Sequence, residues 1–303
     1  DANWFFDYPE SAQKTLELMG RSSFYASSSL DGAILISPKV VQDLLLATGP
    51  IYLNEGKTMV DADTVMPMIQ SEVQAGQASG AENPKEILAK LLPPLEEKLQ
   101  NLGSAELEKL MISARSWISN RDVAIFMADA ELMKIISYYH ADGGSYVVPQ
   151  SFSGDYFAAV NANLGGGKSD ARISDTIDLE SDLRVDGVIE SRVAVIRENN
   201  ATAKDEWWYR VTNQNYLQVF TPAGVTLTAA SGGKSKTIVP KTNYSKGFEV
   251  DPDVSALEST LKPAAGFPAI SQFRESHKNV FSTWLTTPAG RSSAARLEYR
   301  RSL

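Results

Sequence analysis

The sequence predicts an α/β domain over residues 1–165 followed by an all-β sandwich domain over residues 166–303. Three observations carry this. In the first part, short apolar runs alternate with helical patterns, the signature of layered helices and strands. From Ile173 onward the apolar period becomes two, with Gly, Pro and Asn between the runs. Composition changes at the same place, from Leu, Met, Ala and Glu to Thr, Val, Ser, Asn and Gly, which are helix-favouring and strand-favouring sets. Charge follows: residues 1–165 hold 11 basic and 21 acidic side chains, residues 166–303 hold 18 and 16, and the whole chain carries −8.

The elements are justified in chain order. Tyr8-Pro9-Glu10-Ser11 opens a helix, with Pro in its first turn, an acid near its positive end and a stop at Gly20. Its apolar stripe is Ala12, Leu16, Leu18 and Met19. A Ser-rich loop at 22–30 leads to a short buried strand at 33–36. Ser37-Pro38 then starts a helix that buries Val40, Val41, Leu44 and Leu45 and stops at Gly49-Pro50. A strand is expected at 51–53. Helices follow, one capped by Asp63, one begun by Asn83-Pro84 and ended or kinked by Pro93-Pro94, and one capped by Ser104. A strand at 123–126, a helix capped by Asp129 and a strand at 155–160 complete the first domain.

In the second domain Asp186-Gly187 marks a hairpin before the alternating run 188–196. Further strands are expected at 216–220, 225–228, 237–239, 247–250, 280–286 and 294–300, with a surface excursion over 251–276.

Several function classes are excluded at this level. There is no cysteine, so disulfides, thiol nucleophiles, Cys-ligated zinc and iron–sulfur clusters are absent. His140 and His277 are the only histidines and show no Ser–Asp partner arrangement. Net acidity argues against a nucleic-acid surface. No apolar run reaches 18 residues, and the chain starts at Asp1 without Met, which reads as a processed piece of a longer protein.

The polar motifs carry two readings each. Leu164-Gly165-Gly166-Gly167-Lys168-Ser169 resembles the end of a phosphate loop, but Ala162 replaces the first glycine that pattern needs and strand-like alternation follows instead of a helix. An inter-domain turn is the plainer reading. Asp1, Asn3 and Asp7 cluster oxygen donors that suit Mg²⁺, although such residues before a helix also serve as caps. Trp207-Trp208-Tyr209 offers a sugar-stacking surface or ordinary packing at the sandwich end. Two glycosylation sequons start at Asn200 and Asn243.

Four phrases in order go further. They are Asp1-x-Asn3-Trp4-x-x-Asp7-Tyr8-Pro9-x-Ser11-Ala12, Asp31-Gly32-Ala33-Ile34, Thr48-Gly49-Pro50, and Asn161-Ala162-Asn163-Leu164-Gly165-Gly166-x-Lys168-Ser169-Asp170. Asn199, Tyr216-Leu217, Pro222, Phe281-x-x-Trp284 and Pro288-x-Gly290 extend the match. Together they resemble the bacterial cell-envelope domain-of-unknown-function family four-thousand-and-twelve, itself similar over residues 31–50 to the LytR–CpsA–Psr wall-polymer ligases. The resemblance implies LytR–CpsA–Psr-like α/β/α layers lacking their N-terminal part. It also implies an extracytoplasmic surface protein, held to the membrane by a segment upstream of Asp1. Its partner would be a glycopolymer, a polyprenyl-phosphate lipid or a protein. One implied function is metal-assisted phosphotransfer on a polyprenyl-pyrophosphate substrate, with Asp1, Asn3 and Asp7 catalytic, Asp1 and Asp7 holding Mg²⁺, and Asn161, Asn163, Lys168 and Asp170 binding substrate. The other is a non-enzymatic surface protein for binding or assembly on the same scaffold, which the three arginines of the first domain favour.

Overall fold

In a computed structural model of the chain, residues 2–25, 29–54, 56–149, 152–238 and 246–303 are described. Asp1, part of the Ser-rich loop, the sequon at Asn243 and the end of the strand expected at 237–239 lie outside them. The chain divides into two compact units, Asp1–Ser145 and Tyr146–Leu303. Residues 146–165, expected in the first domain, fall in the second unit because the strand they contain pairs there.

The first unit mixes helices with short strands. Helix α1 covers Tyr8–Arg21, with Pro9 in its first turn and Ala12 and Lys14 buried. Strand β1 (Gly32–Ile36) runs antiparallel to β4 (Val123–Met127). These two form a sheet by themselves, so β1 is not buried as expected: Ile34 and Ile36 on one face are exposed. Helix α2 (Pro38–Thr48) ends at Gly49, whose φ of 80° suits a residue without Cβ. Ser37 precedes it, but its hydroxyl donates to Asp122 Oδ1 at 2.6 Å rather than accepting from the helix. A second two-stranded sheet joins β2 (Ile51–Leu53) to β3 (Thr58–Val60).

Helix α3 (Val65–Ser79) is led in by a turn held two residues before the expected cap. Asp61, not Asp63, accepts from the Asp63 and Thr64 amides through Oδ1, at 3.1 and 2.9 Å. Helix α4 (Glu86–Gln100) runs through Pro93 and Pro94 instead of ending there. The two lost donors free the carbonyls of Ala89 and Lys90, and both residues are exposed, so water can satisfy them. Helix α5 (Ser104–Ser119) places Trp117 Nε1 on Asp43 Oδ2 at 2.9 Å, and α6 (Ala130–Tyr138) has the Asp129 cap that was expected. The core of the unit gathers Leu45, Ile51, Val60, Val65, Val73, Ile87 and Leu91.

The second unit is built on two sheets. One has the order β10-β11-β12-β8-β5, from Lys262–Ala264, Phe267–Glu275, Lys278–Thr287, Asn213–Thr221 and Ala158–Asn163. The other has the order β6-β7-β13-β9, from Ile173–Leu183, Val188–Asn199, Ser292–Ser302 and Thr226–Ser231. Val193, Val195, Leu217, Val219, Ile270, Phe281, Leu297 and Tyr299 fill one core drawn from both sheets. Short helices α7 (Trp207–Arg210) and α8 (Pro252–Ser259) interrupt the strands.

Two expectations fail here. The stretch 251–276 is not a surface excursion: after α8 it supplies β10 and β11, with Ile270 and Phe273 buried. Its alternation is masked by Gly266, which makes the turn between β10 and β11, and by Pro268 near the start of β11. Residues 247–250 form no strand.

Candidate functional site

The inner rows of the second unit carry an apolar stretch that gives way to buried polar side chains toward one end. On β8 the row runs Asn213, Asn215, Leu217, Val219, Thr221, all fully buried. Asn161 and Asn163 of β5 lie opposite Leu217 and Asn215, and β7 contributes Arg197 and Asn199 after Val193 and Val195. A buried polar group must be paired to be tolerated, so this end is held by side-chain hydrogen bonds.

The glycine loop 164–168 folds onto that end. Asn163 Oδ1 accepts from the Gln214 amide at 3.1 Å, and its Nδ2 donates to the Gly166 carbonyl at 3.2 Å and Ser169 Oγ at 3.3 Å. The Ser169 hydroxyl donates to the Gly166 carbonyl at 2.6 Å. Asn213 Nδ2 reaches Ser169 Oγ at 3.1 Å and Asp170 Oδ1 at 2.8 Å, and Asn215 Nδ2 donates to Asn161 Oδ1 at 2.7 Å. A 3₁₀ turn over Ser169–Arg172 then leads into β6. This geometry is not a phosphate cradle, because no α-helix starts at the loop to aim its amides outward.

Arg197 is the charge at the centre. It is 2% exposed, with one terminal nitrogen 2.8 Å from Asp170 and the other 3.0 Å from Asp175. Burial pushes the Asp175 carboxyl above the usual range, Arg197 pulls it back and Asp170 adds to the rise. Arg197 Nε, Asn213 Oδ1 and Asn215 Oδ1 are buried without a hydrogen-bond partner among the described residues. Of the expected substrate-binding residues, Asn161, Asn163 and Asp170 are thus committed to the fold. Lys168 is half-exposed, and its ammonium makes no hydrogen bond or ion pair among the described residues.

The other expected cluster lies in the first unit. Asp7 Oδ2 accepts from both the amide and the hydroxyl of Ser145, each at 2.9 Å, and so ties the start of α1 to the end of the unit. Asn3 is exposed. Among the described residues no group of three or more His, Cys, Asp or Glu is placed to hold a metal ion. Asp7, with one oxygen already doubly engaged, gathers no such set among them.

Two further clusters were not foreseen. Asp155 accepts from Ser191 and, at 3.1 Å, from the Tyr299 phenol, and burial followed by the Asp155 charge pushes that phenol up. Asp205 accepts from the Thr202 amide at 2.8 Å, the Arg172 guanidinium at 2.7 Å and the Thr202 hydroxyl at 2.9 Å, which hold its carboxyl down at about 2. Because that value lies below the unfolded one, the stabilisation from Asp205 is fully present above the ordinary aspartate range. It is lost as pH falls through about 2. A carboxyl carbon NMR titration is expected to place the Asp205 midpoint near 2, and Arg172→Ala is expected to raise it.

The aromatic triplet forms a short helix rather than a platform. Tyr209 is buried under the Arg172 guanidinium at 4.7 Å, Trp208 Nε1 is buried, and Trp207 alone is exposed. His140 and His277 are exposed turn residues with φ of 56° and 61°.

Residues 1–73 match the model of a family described as a protein of unknown function, DUF4012. The match covers α1 through most of α3, so it includes Asn3 and Asp7 but not the glycine loop. No curated protein and no solved structure matches the chain. None of the described helices is long and apolar enough to cross a membrane.

Proposed function

We propose that this chain is a non-enzymatic binding or assembly protein of the bacterial cell envelope, displayed outside the cytoplasm on a LytR–CpsA–Psr-like scaffold. The observation that carries the reading is the employment of the site residues. Asp7 Oδ2, Asn161 Oδ1, both amide atoms of Asn163 and Asp170 Oδ1 are engaged by Ser145, by Asn215, by the glycine loop and the Gln214 amide, and by Arg197 and Asn213. These bonds hold the four side chains as parts of the fold, whereas a catalytic group is aimed at a reacting centre. The envelope assignment rests on the resemblance of the opening phrases, which lie within the stretch matched by DUF4012. The partner is a wall or surface glycopolymer, or a protein assembled with it.

The test sets the chain against a synthetic polyprenyl-pyrophosphate oligosaccharide with Mg²⁺. No turnover is expected. Asp7→Ala is expected to cost the first unit about 1–3 kcal/mol in urea unfolding, because the buried Ser145 amide loses its acceptor. Turnover by the unaltered chain that disappears in Asp7→Ala or Lys168→Ala, with unfolding unchanged, would establish the metal-assisted phosphotransferase instead.

A further inference from the structure

Among the described residues, the second sheet ends in a strand with one unpaired edge. Strand β6 pairs with β7 along its whole length, from Ile173 opposite Asn199 to Leu183 opposite Ile189, without a register shift. It is the terminal strand of its sheet, and among the described residues its other edge has no strand partner. Edge strands are normally blunted by brevity, Pro, charged side chains (Lys above all), inward-pointing charge or a bulge. Here the edge is eleven residues long and contains no Pro or Lys.

Its two rows have opposite character. The inner row holds Ile177, Leu179 and Leu183, opposite the buried Val195, Val193 and Ile189. On β7 these positions are core, whereas on β6 Ile177, Leu179 and Leu183 remain 43%, 46% and 69% exposed. The sheet thus reaches past its own core and leaves apolar surface in water. The charged member of that row, Asp175, is taken by Arg197. The outer row carries Asp178, Glu180 and Asp182 in succession. Arg192 bridges Glu180 and Asp182, and Asp178 has no ion pair among the described residues.

We propose that β6 binds an extended segment of a partner protein in which basic residues alternate with Val, Ile or Leu, added antiparallel or parallel as a fifth strand of this sheet. The main-chain groups of β6 supply the ladder, the apolar row of the incoming strand covers Ile177, Leu179 and Leu183, and its basic row faces Asp178, Glu180 and Asp182. Charge selects this occupant over a second copy. The strand has four acids and no Lys or Arg, so β6 against β6 sets like charges opposite each other, which is destabilising. The inference rests on the binding reading above and gives that reading a surface and a partner chemistry.

The probe is a dye-labelled nine-residue peptide alternating lysine and valine, titrated into the full chain by fluorescence anisotropy. Its controls are a glutamate–valine peptide and a lysine–valine peptide with a central proline. Binding at least tenfold tighter than either control is expected, together with slowed hydrogen exchange at alternate β6 amides. Asp178→Lys, at an exposed position, is expected to lower affinity for the lysine peptide and raise it for the glutamate peptide. Leu179→Ser is expected to weaken both. Failure to bind, equal binding of the controls, protection elsewhere, or no change in preference on Asp178→Lys would each overturn strand addition. So would a concentration-dependent dimer abolished by Leu179→Pro, which gives the edge to a second copy. Any of these leaves the binding reading standing, whereas turnover in the phosphotransfer assay removes that reading and leaves peptide binding measurable.

Discussion

Changing Asp170 and Asp175 together to alanine is expected to destabilise the second unit by about 3 kcal/mol, the lower end of the cost of stranding a buried charge. Arg197 is 2% exposed and these acids are its ion-pair partners. The acids themselves are 51% and 38% exposed, so water replaces part of what they supply, and the loss stays below the upper end of that range. The cost belongs to the guanidinium, not to the acids. Adding Arg197→Met to the double variant is therefore expected to restore most of the stability, since an apolar side chain of similar length suits Val195 and its neighbours. Urea unfolding followed through Trp207, Trp208 and Trp284 of this unit reads both changes. A triple variant no more stable than the double would show that the hydrogen bonds, rather than the buried charge, carry the energy.

The same cluster has a pH signature. The folded Asp175 carboxyl lies above its unfolded value, so the native state binds that proton more tightly. Stability from this group is fully present below the ordinary aspartate range and declines as pH rises through the raised value. Asp175→Asn is expected to flatten the profile in that window. Asp205 acts at lower pH and in the opposite sense, so the two are separable.

Gly166→Ala is expected to cost about 3 kcal/mol, the upper end for overpacking, because it strikes the keystone of the glycine loop. A Cβ there would lie 2.0 Å from Asn163 Oδ1 and 2.7 Å from the Gln214 amide nitrogen. The Asn163 amide must then swing away, which breaks its bonds to Gln214, Gly166 and Ser169 together. Gly165→Ala is the control. It meets nothing within 4 Å and bears only the strain of a φ of 87°, worth about 1 kcal/mol. If the collision is with Asn163, Gly166→Ala costs less in an Asn163→Ala background, and a double-mutant cycle measures the coupling. Equal costs in the two backgrounds would place the damage at the Gln214 backbone instead.

The site was legible in part. The order Asn161, Asn163, Gly166, Lys168, Asp170 was visible as a motif, and the structure does bring these residues into one loop and strand end. Their employment was not visible, because their partners Asn213, Asn215 and Arg197 come from strands far along the chain. Arg197 itself was within reach: alternation through Val193 and Val195 places it on the inner row, where an arginine must be paired. The helices at Tyr8, Pro38 and Ala130 were legible because their starting residues and apolar spacing are local signals. Pro93-Pro94 does not end α4, because a lost donor ends a helix only when the freed carbonyl has no other partner, and Ala89 and Lys90 are exposed to water.

By itself the sequence determined where most helices of the first unit begin, where the composition turns, and the absence of cysteine chemistry, since these depend on the residues themselves and neighbours a few positions away. Only the tertiary structure decided that the first unit's strands pair in twos, that residues 146–165 pack with the β-rich unit, and that β6 ends its sheet with an apolar row in water. Strand order and burial are set by which distant segments share hydrogen bonds and a core. A periodicity of two specifies that a row has a face, but not whether anything lies against it.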